Sequence, residues 1–290
     1  MMMRKKEKIT NQPIYYSSLV LVREFIKHNS DALIDGGKLY NLVSDSERFV
    51  LDTLQILQNI TDTLETIDMA YDFICNGYEP LDNISIESYK FDVYHLDMFN
   101  NKMVTIKDLI YKLVSFVYRL SNWIREINKA NHKDGAKFNL SFVNSHTEEL
   151  RKKLNNDCLF SLLHTDLDIH LKSIIRDRNK SLHDGEINDY SYDGVALGIL
   201  KGVEKGNMEF DNLKTLQYVA RAMDDGHQKL IDDMKIHKDN AYEFTRVALC
   251  SISREYLKII VDTLSDKYPH ALDAIRLIYP KCFETPVGCP

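Results

Sequence analysis

Apolar residues recur along this chain at steps of three and four, the spacing that lays one stripe down an α-helix. The first clear stripe is Val50, Leu54, Leu57, Ile60, Leu64, Ile67, Tyr71 and Ile74. It predicts a helix capped by Asp45 or Ser46 and ended by Gly77 and Pro80. A second stripe, Ile106, Ile110, Leu113, Val117, Leu120, Ile124 and Ile127, leaves Lys107, Lys112, Arg119 and Arg125 largely off its face and stops at Gly135. A third runs Phe160, Leu163, Leu167, Leu171 and Ile174, passes through Arg178 and Leu182, and stops at Gly185. The fourth is Leu216, Val219, Met223, His227, Leu230 and Met234. The fifth, with Asp239 as its cap, is Phe244, Val247, Leu249, Ile252, Tyr256 and Ile259. No comparable stretch alternates with a period of two, so the fold class is all-α.

Proline placement points the same way. The prolines are Pro13, Pro80, Pro269, Pro280, Pro286 and Pro290, and residues 81–268 contain none. Proline breaks helix interiors, so a long proline-free stretch suits a stack of helices. Pro80 and the polar residues from Glu79 to Ser88 read as a joint. They divide an N-terminal helical hairpin over 1–80 from a helical bundle over 81–266, with a short helix and tail over 267–290. Gly194, Gly198, Gly202 and Gly206 fall every fourth residue. Their segment reads as a loop or small hairpin, the alternative being a flat helix face for close packing. It lacks the Gly-Lys-Ser/Thr ending of a phosphate loop. No repeat of 30 to 45 residues is visible, which argues against a solenoid.

Composition narrows the function classes. A chain of 290 residues, 44% hydrophobic and 28% charged, can bury a core without a metal or disulfide staple. The net charge of −6 excludes a general polycation, so any nucleic-acid contact must be local. Five scattered cysteines, Cys75, Cys158, Cys250, Cys282 and Cys289, include no CxxC and no Cys/His cluster at zinc spacing. Cys282 and Cys289 lie close enough in sequence to meet, but a reduced, cytoplasmic protein is the simpler expectation. The basic start, Arg4-Lys5-Lys6, is followed by no apolar run, so no secretory signal is expected. No run of about 18 uncharged apolar residues predicts a membrane span.

Chemistry concentrates in Leu167-Asp168-Ile169-His170-Leu171-Lys172-Ser173-Ile174-Ile175-Arg176-Asp177-Arg178-Asn179-Lys180-Ser181-Leu182-His183-Asp184-Gly185. At about 100° per residue, Leu167, Leu171, Ile174, Ile175 and Leu182 share one face, and Arg178 falls in its middle. A guanidinium keeps its proton, so burying it unpaired is very costly. Either a carboxylate meets Arg178, or the face opens onto a cleft where it holds an anion. His183 is rotated from Arg178 by about 140° and raised by about 7.5 Å on an ideal helix. The two converge only through an unwound helix end, a long arginine reach or a second copy of the chain. Lys172, Arg176 and Lys180 make the segment locally positive, with Asp177 opposing them. Arginine beside imidazole suits a phosphodiester: one binds the phosphate, the other shuttles a proton near neutral pH. RNA brings its own nucleophile, the 2′-hydroxyl, so such a site needs no metal and no cofactor.

Arg178-Asn179-Lys180-Ser181-Leu182-His183 resembles the R-x(4–6)-H signature of the HEPN superfamily, in the form where a polar residue follows the arginine. The resemblance implies an antiparallel all-α bundle over residues 85–265, to which the N-terminal hairpin is an extension. It further implies a homodimer whose two motifs line one cleft. Many members are metal-independent endoribonucleases of toxin–antitoxin, abortive-infection or CRISPR systems. Carried over, Arg178 and His183 are catalytic and Asn179 supports them, while Lys172, Arg176 and Lys180 contact RNA. A cognate antitoxin or immune sensor is the further partner implied. Some family toxins carry a tyrosine two residues after the histidine; here Gly185 stands there, with Tyr190 and Tyr192 farther on.

Other pairs fit the looser pattern, among them Arg23…His28, Arg125…His132 and Arg221…His227, but their arginines lie on or near polar faces. His164 and His170 are six apart and lack the four-residue spacing of helical zinc ligands, so both read as capping or surface residues. His227 reads as a core histidine, the alternative being a place on the same cleft as His183. Trp123 and the tyrosines read as packing rather than base-stacking platforms. Two further readings stay open: a non-catalytic module that holds a nucleotide or a protein carboxylate, and a structural protein in which Arg178 is paired with an acid.

Overall fold

The computed structural model describes residues 9–76, 86–130, 138–164 and 212–283, and of 86–93 and 212–227 the helical backbone alone. Among the described residues every regular element is helical, the class that the apolar spacing predicts. In chain order the helices are α1 (Pro13–His28), α2 (Ser30–Ile34), α3 (Leu39–Leu42), α4 (Asp45–Asn76), α5 (Ile86–Val117) and α6 (Ser121–Ala130). Next come α7 (Leu140–Ser145), α8 (Thr147–Leu154), α9 (Asp157–His164), α10 (Asn212–Leu264) and α11 (Pro269–Ile278), then a 3₁₀ turn over Pro280–Cys282. None of the described helices is long and apolar enough to cross a membrane.

The chain folds into two compact units. One takes the described residues of Met1–Thr63, Ile106–Asp168 and Tyr242–Pro290; the other takes those of Leu64–Thr105 and Ile169–Ala241. Helices α4, α5 and α10 contribute residues to both.

In the first unit, α1 starts on Pro13, which has no N–H to leave unsatisfied. The next N–H, on Ile14, has no acceptor within its own helix and donates to Ser253 Oγ of α10 at 3.1 Å. One turn on, Ser18 Oγ and Tyr256 OH share a buried bond of 2.7 Å. Ile14, Leu21 and Phe25 are fully buried, and each such side chain contributes about 1.5–3 kcal/mol. Helix α11 packs on α1, with Tyr16 and Tyr279 edge to face at 5.7 Å and Tyr279 OH donating to the Asn11 carbonyl at 2.9 Å. Phe49 of α4 stacks on Phe116 at 5.2 Å and on Tyr256 at 5.8 Å.

The α4 stripe is buried at seven of its eight predicted positions, with Tyr71 half-buried. Its cap is one or two residues earlier than expected. Ser44, not Asp45 or Ser46, faces Glu47: the Glu47 carboxylate accepts from the Ser44 N–H at 2.8 Å and from its hydroxyl at 2.6 Å. Glu47 N–H reaches back to Ser44 Oγ at 3.4 Å. This is a capping box, which closes two orphan donors at once.

Three other expectations are corrected. The second stripe is not one helix, because the chain turns between Val117 and Ser121. Leu120 N–H bonds the Ser115 carbonyl and Arg119 N–H bonds the Phe116 carbonyl, the paired bonds of a Schellman end. Arg119 takes the left-handed position (φ 53°) that usually belongs to glycine, so no glycine or proline announces the break. Helix α5 also begins at Ile86, inside the polar stretch read as a joint. The fourth and fifth stripes are one helix, α10, and Asp239 lies within it rather than capping it. At Lys238, one turn after Met234, the stripe carries a charge that looks like an interruption. In the second unit that charge is answered by Asp68 of α4 at 3.2 Å, so the helix runs on.

Candidate functional site

Arg178, Asn179 and His183, together with Lys172, Arg176 and Lys180, lie outside the described residues. So do His170, Gly185, Tyr190, Tyr192 and the Gly194–Gly206 segment. What is described is the helix that leads to them. Helix α9 carries Phe160 and Leu163, the first two positions of the stripe that continues to Arg178, and it is fixed at both ends.

At its start, Asn156 Oδ1 accepts the Leu159 N–H at 3.0 Å, an N-cap that the sequence Asn156-Asp157 foreshadows. The same side chain turns its amide to the Ser251 carbonyl of α10 at 3.1 Å. At its end, Tyr111 OH of α5 donates to the Leu163 carbonyl at 2.9 Å, satisfying a group the helix cannot satisfy itself. Tyr111, Leu159 and Leu163 are buried. Arg151 pairs with Asp157 at 2.8 Å and lies 5.7 Å from the Phe160 ring. Helix α9, which precedes the Leu167–Gly185 segment in the chain, is therefore tied to α5 and α10.

His164, last residue of α9, packs edge-on against Phe160 at 4.6 Å. Its Nε2 is buried and has no hydrogen-bond partner among the described residues. The residue is half-buried at the end of the helix. Among the described residues no three or more His, Cys, Asp or Glu side chains gather as metal ligands would. His227 falls within α10. The competing pair Arg23 and His28 stands exposed on α1, and Arg125 is exposed on α6, which matches the polar-face reading of those arginines.

Trp123 meets Phe142 edge-on at 5.2 Å and His146 at 6.1 Å, with Lys153 Nζ 5.1 Å from its ring. His146 stacks on Phe142 at 4.4 Å and bonds the Phe142 carbonyl through Nδ1 at 3.0 Å. The indole is a packing residue, as its spacing predicts.

Two polar centres were not singled out from the sequence. The first is Glu47, fully buried. Besides Ser44 it receives Lys267 Nζ at 3.0 and 3.1 Å and a short bond from Tyr268 OH. Burial alone would raise its pKa; the bonds from Ser44, Tyr268 and Lys267 outweigh that and hold it down at about 2. Burial and the adjacent carboxylate push the Tyr268 phenol up, and its ring leans on Phe25 at 5.1 Å. The Ser-x-x-Glu spacing is a signal that finds the cap; nothing in the sequence marks the partners more than 200 residues on. The second centre lies in the other unit, where Lys238 Nζ sits 3.8 Å over the Tyr71 ring beside the buried Asp68. Burial and a bond to Cys75 push the Tyr71 phenol up to about 12. Both centres hold helices together.

No protein-family model, curated protein or solved structure matches the chain.

Proposed function

We propose that this protein is a metal-independent endoribonuclease of HEPN type, acting in the cytoplasm as a toxin or abortive-infection effector. One observation carries the reading. Arg178 interrupts an apolar stripe and is followed by Asn179 and, after three more residues, by His183. A permanently charged guanidinium set in an apolar stripe needs an anion, and the neighbouring cations Lys172, Arg176 and Lys180 bias that anion toward a polynucleotide backbone.

In the proposed chemistry Arg178 binds the scissile phosphate and offsets the charge that develops on it. His183 takes the proton of the 2′-hydroxyl or returns one to the leaving 5′-oxygen, and Asn179 orients the pair. The products end in a 2′,3′-cyclic phosphate and a 5′-hydroxyl. On one ideal helix Arg178 and His183 point about 140° apart, so two chains, each supplying one motif, complete the cleft better than one. A cognate antitoxin or immune sensor would restrain the activity.

The test uses purified protein, freed of any bound inhibitor, on a mixed RNA pool. Arg178→Ala and His183→Ala should each abolish cleavage while the far-ultraviolet spectrum stays helical. Wild-type protein that leaves diverse RNAs intact overturns the reading. The same angular separation favours a second reading, a non-catalytic module that holds a nucleotide through Arg178. It predicts nucleotide binding in a calorimetric titration, lost in Arg178→Ala, without turnover.

A further inference from the structure

In the first unit, the outer side of α10 carries a mostly cationic ridge. Arg246, Cys250, Arg254 and Lys258 follow one another every fourth residue, which on a helix makes one slowly winding line about 18 Å long. Arg246 is half-buried, and Cys250, Arg254 and Lys258 are exposed. The Arg246 guanidinium is already engaged, forked on the Glu243 carboxylate at 2.9 and 2.6 Å. Arg254 and Lys258, about 6 Å apart along the axis, form no ion pair among the described residues. Glu255 is half-buried and rotated by about 100° from Arg254. Helix α9 borders the ridge: the Asn156 amide bonds the Ser251 carbonyl at 3.1 Å, and Cys158 Sγ lies 3.8 Å from Ser251 Oγ. Between those two residues Asp157 holds the exposed Arg151 guanidinium at 2.8 Å.

Two features say what the ridge fits. Its charge is bounded, because Glu243 at one end and the exposed Asp262 at the other repel an anion that runs on past them. A short anionic segment is matched, and a polynucleotide continuing along the helix is not. The ridge also offers no ring to a base. Phe244 and Tyr256, the aromatic residues of this stretch, are buried, whereas single-stranded RNA is held by stacking as well as by charge. We propose that this ridge docks an acidic helical segment of a partner protein, whose carboxylates, also one turn apart, meet Arg254 and Lys258. Cations and carboxylates of the same period pair in register when two helices lie side by side. The small side chain of Cys250 leaves room for that approach. The proposal does not depend on the ribonuclease reading, whose candidate cations lie elsewhere in the chain.

The test titrates the full chain, at low ionic strength, with a labelled alanine-rich peptide of about 16 residues carrying glutamate at every fourth position. A control peptide carries glutamine instead. In fluorescence anisotropy the glutamate peptide should bind, the glutamine peptide should not, and added salt should weaken the binding. Arg254→Glu combined with Lys258→Glu should weaken it by about tenfold or more, while Arg178→Ala leaves it unchanged. Arg254→Gln with Lys258→Gln, which introduces no new charge, should weaken it less and serves if the reversal disturbs the helical spectrum. No binding, equal binding of both peptides, or binding untouched by these substitutions overturns the proposal. So does an RNA oligonucleotide that binds more tightly than the peptide and is lost on reversal. A change in the chain's own oligomeric state on reversal, read by sedimentation, likewise overturns it by assigning the ridge to a second copy.

Discussion

At residue scale, folding strongly lowers the pKa of the buried Glu47 carboxylate. Its pKa falls from 4.5 to about 2, so its contribution is fully present above pH 4.5 and is lost as the pH falls through about 2. Lys267, one of its partners, is still 42% exposed, which screens part of the effect. A contribution on the order of 2 kcal/mol remains. Glu47→Gln should therefore lower stability at pH 7 by about that much. It should also flatten the decline of stability between pH 4.5 and 2, as read from urea midpoints across pH; an unchanged slope would refute the assignment. Arg119 makes the opposite case. A left-handed residue with a side chain costs about 1–2 kcal/mol. Its guanidinium, 5.9 Å from the Phe49 ring on an exposed face, returns about 0.5 kcal/mol at best. Arg119→Gly should raise stability by about 0.5–1 kcal/mol, read as a higher denaturation midpoint at an unchanged denaturant slope.

At the scale of elements, α9 stands or falls with its two end clamps. Asn156→Ala removes both the cap and the bond to the Ser251 carbonyl, and should cost about 1–2 kcal/mol. Amide exchange should accelerate first within α9, a local effect that a merely global loss would not show. The elements were also where the sequence was most readable. Val50, Leu57, Ile60 and Ile67 are all fully buried because burial in a helix follows the period written in the apolar spacing. Lys238 was unreadable for a physical reason: a charge on the buried side is admissible only because Asp68, far away in sequence, neutralises it. Arg119 hid a helix end by occupying a glycine's conformation. Lys238→Ala, which removes the cation paired with the buried Asp68, should cost up to about 3 kcal/mol in equilibrium unfolding. Of the candidate site, the motif Arg178…His183 was legible as residue types and spacing alone; a convergence of two side chains is a tertiary property that no periodicity encodes.

At the scale of the whole molecule, a net charge of −6 means that the proposed RNA contact would rest on a few local cations. With Lys172, Arg176, Arg178 and Lys180 as the contacts, affinity for single-stranded RNA should fall with salt at a logarithmic slope of about −3, roughly 0.7 per phosphate. Lys172→Ala or Lys180→Ala should each remove about 0.7 from that slope. A slope near zero in filter-binding measurements would show that these side chains do not meet phosphate. The bonds of the first unit carry one more consequence. Ile14 waits for Ser253, Ser18 for Tyr256, Glu47 for Lys267 and Tyr268, and Asn11 for Tyr279. During synthesis, the opening helices leave the ribosome long before the residues that complete them have been translated. The nascent chain must carry these half-made surfaces until the stretch from Ser253 to Tyr279 has emerged, so the core of the first unit closes only when its far partners arrive.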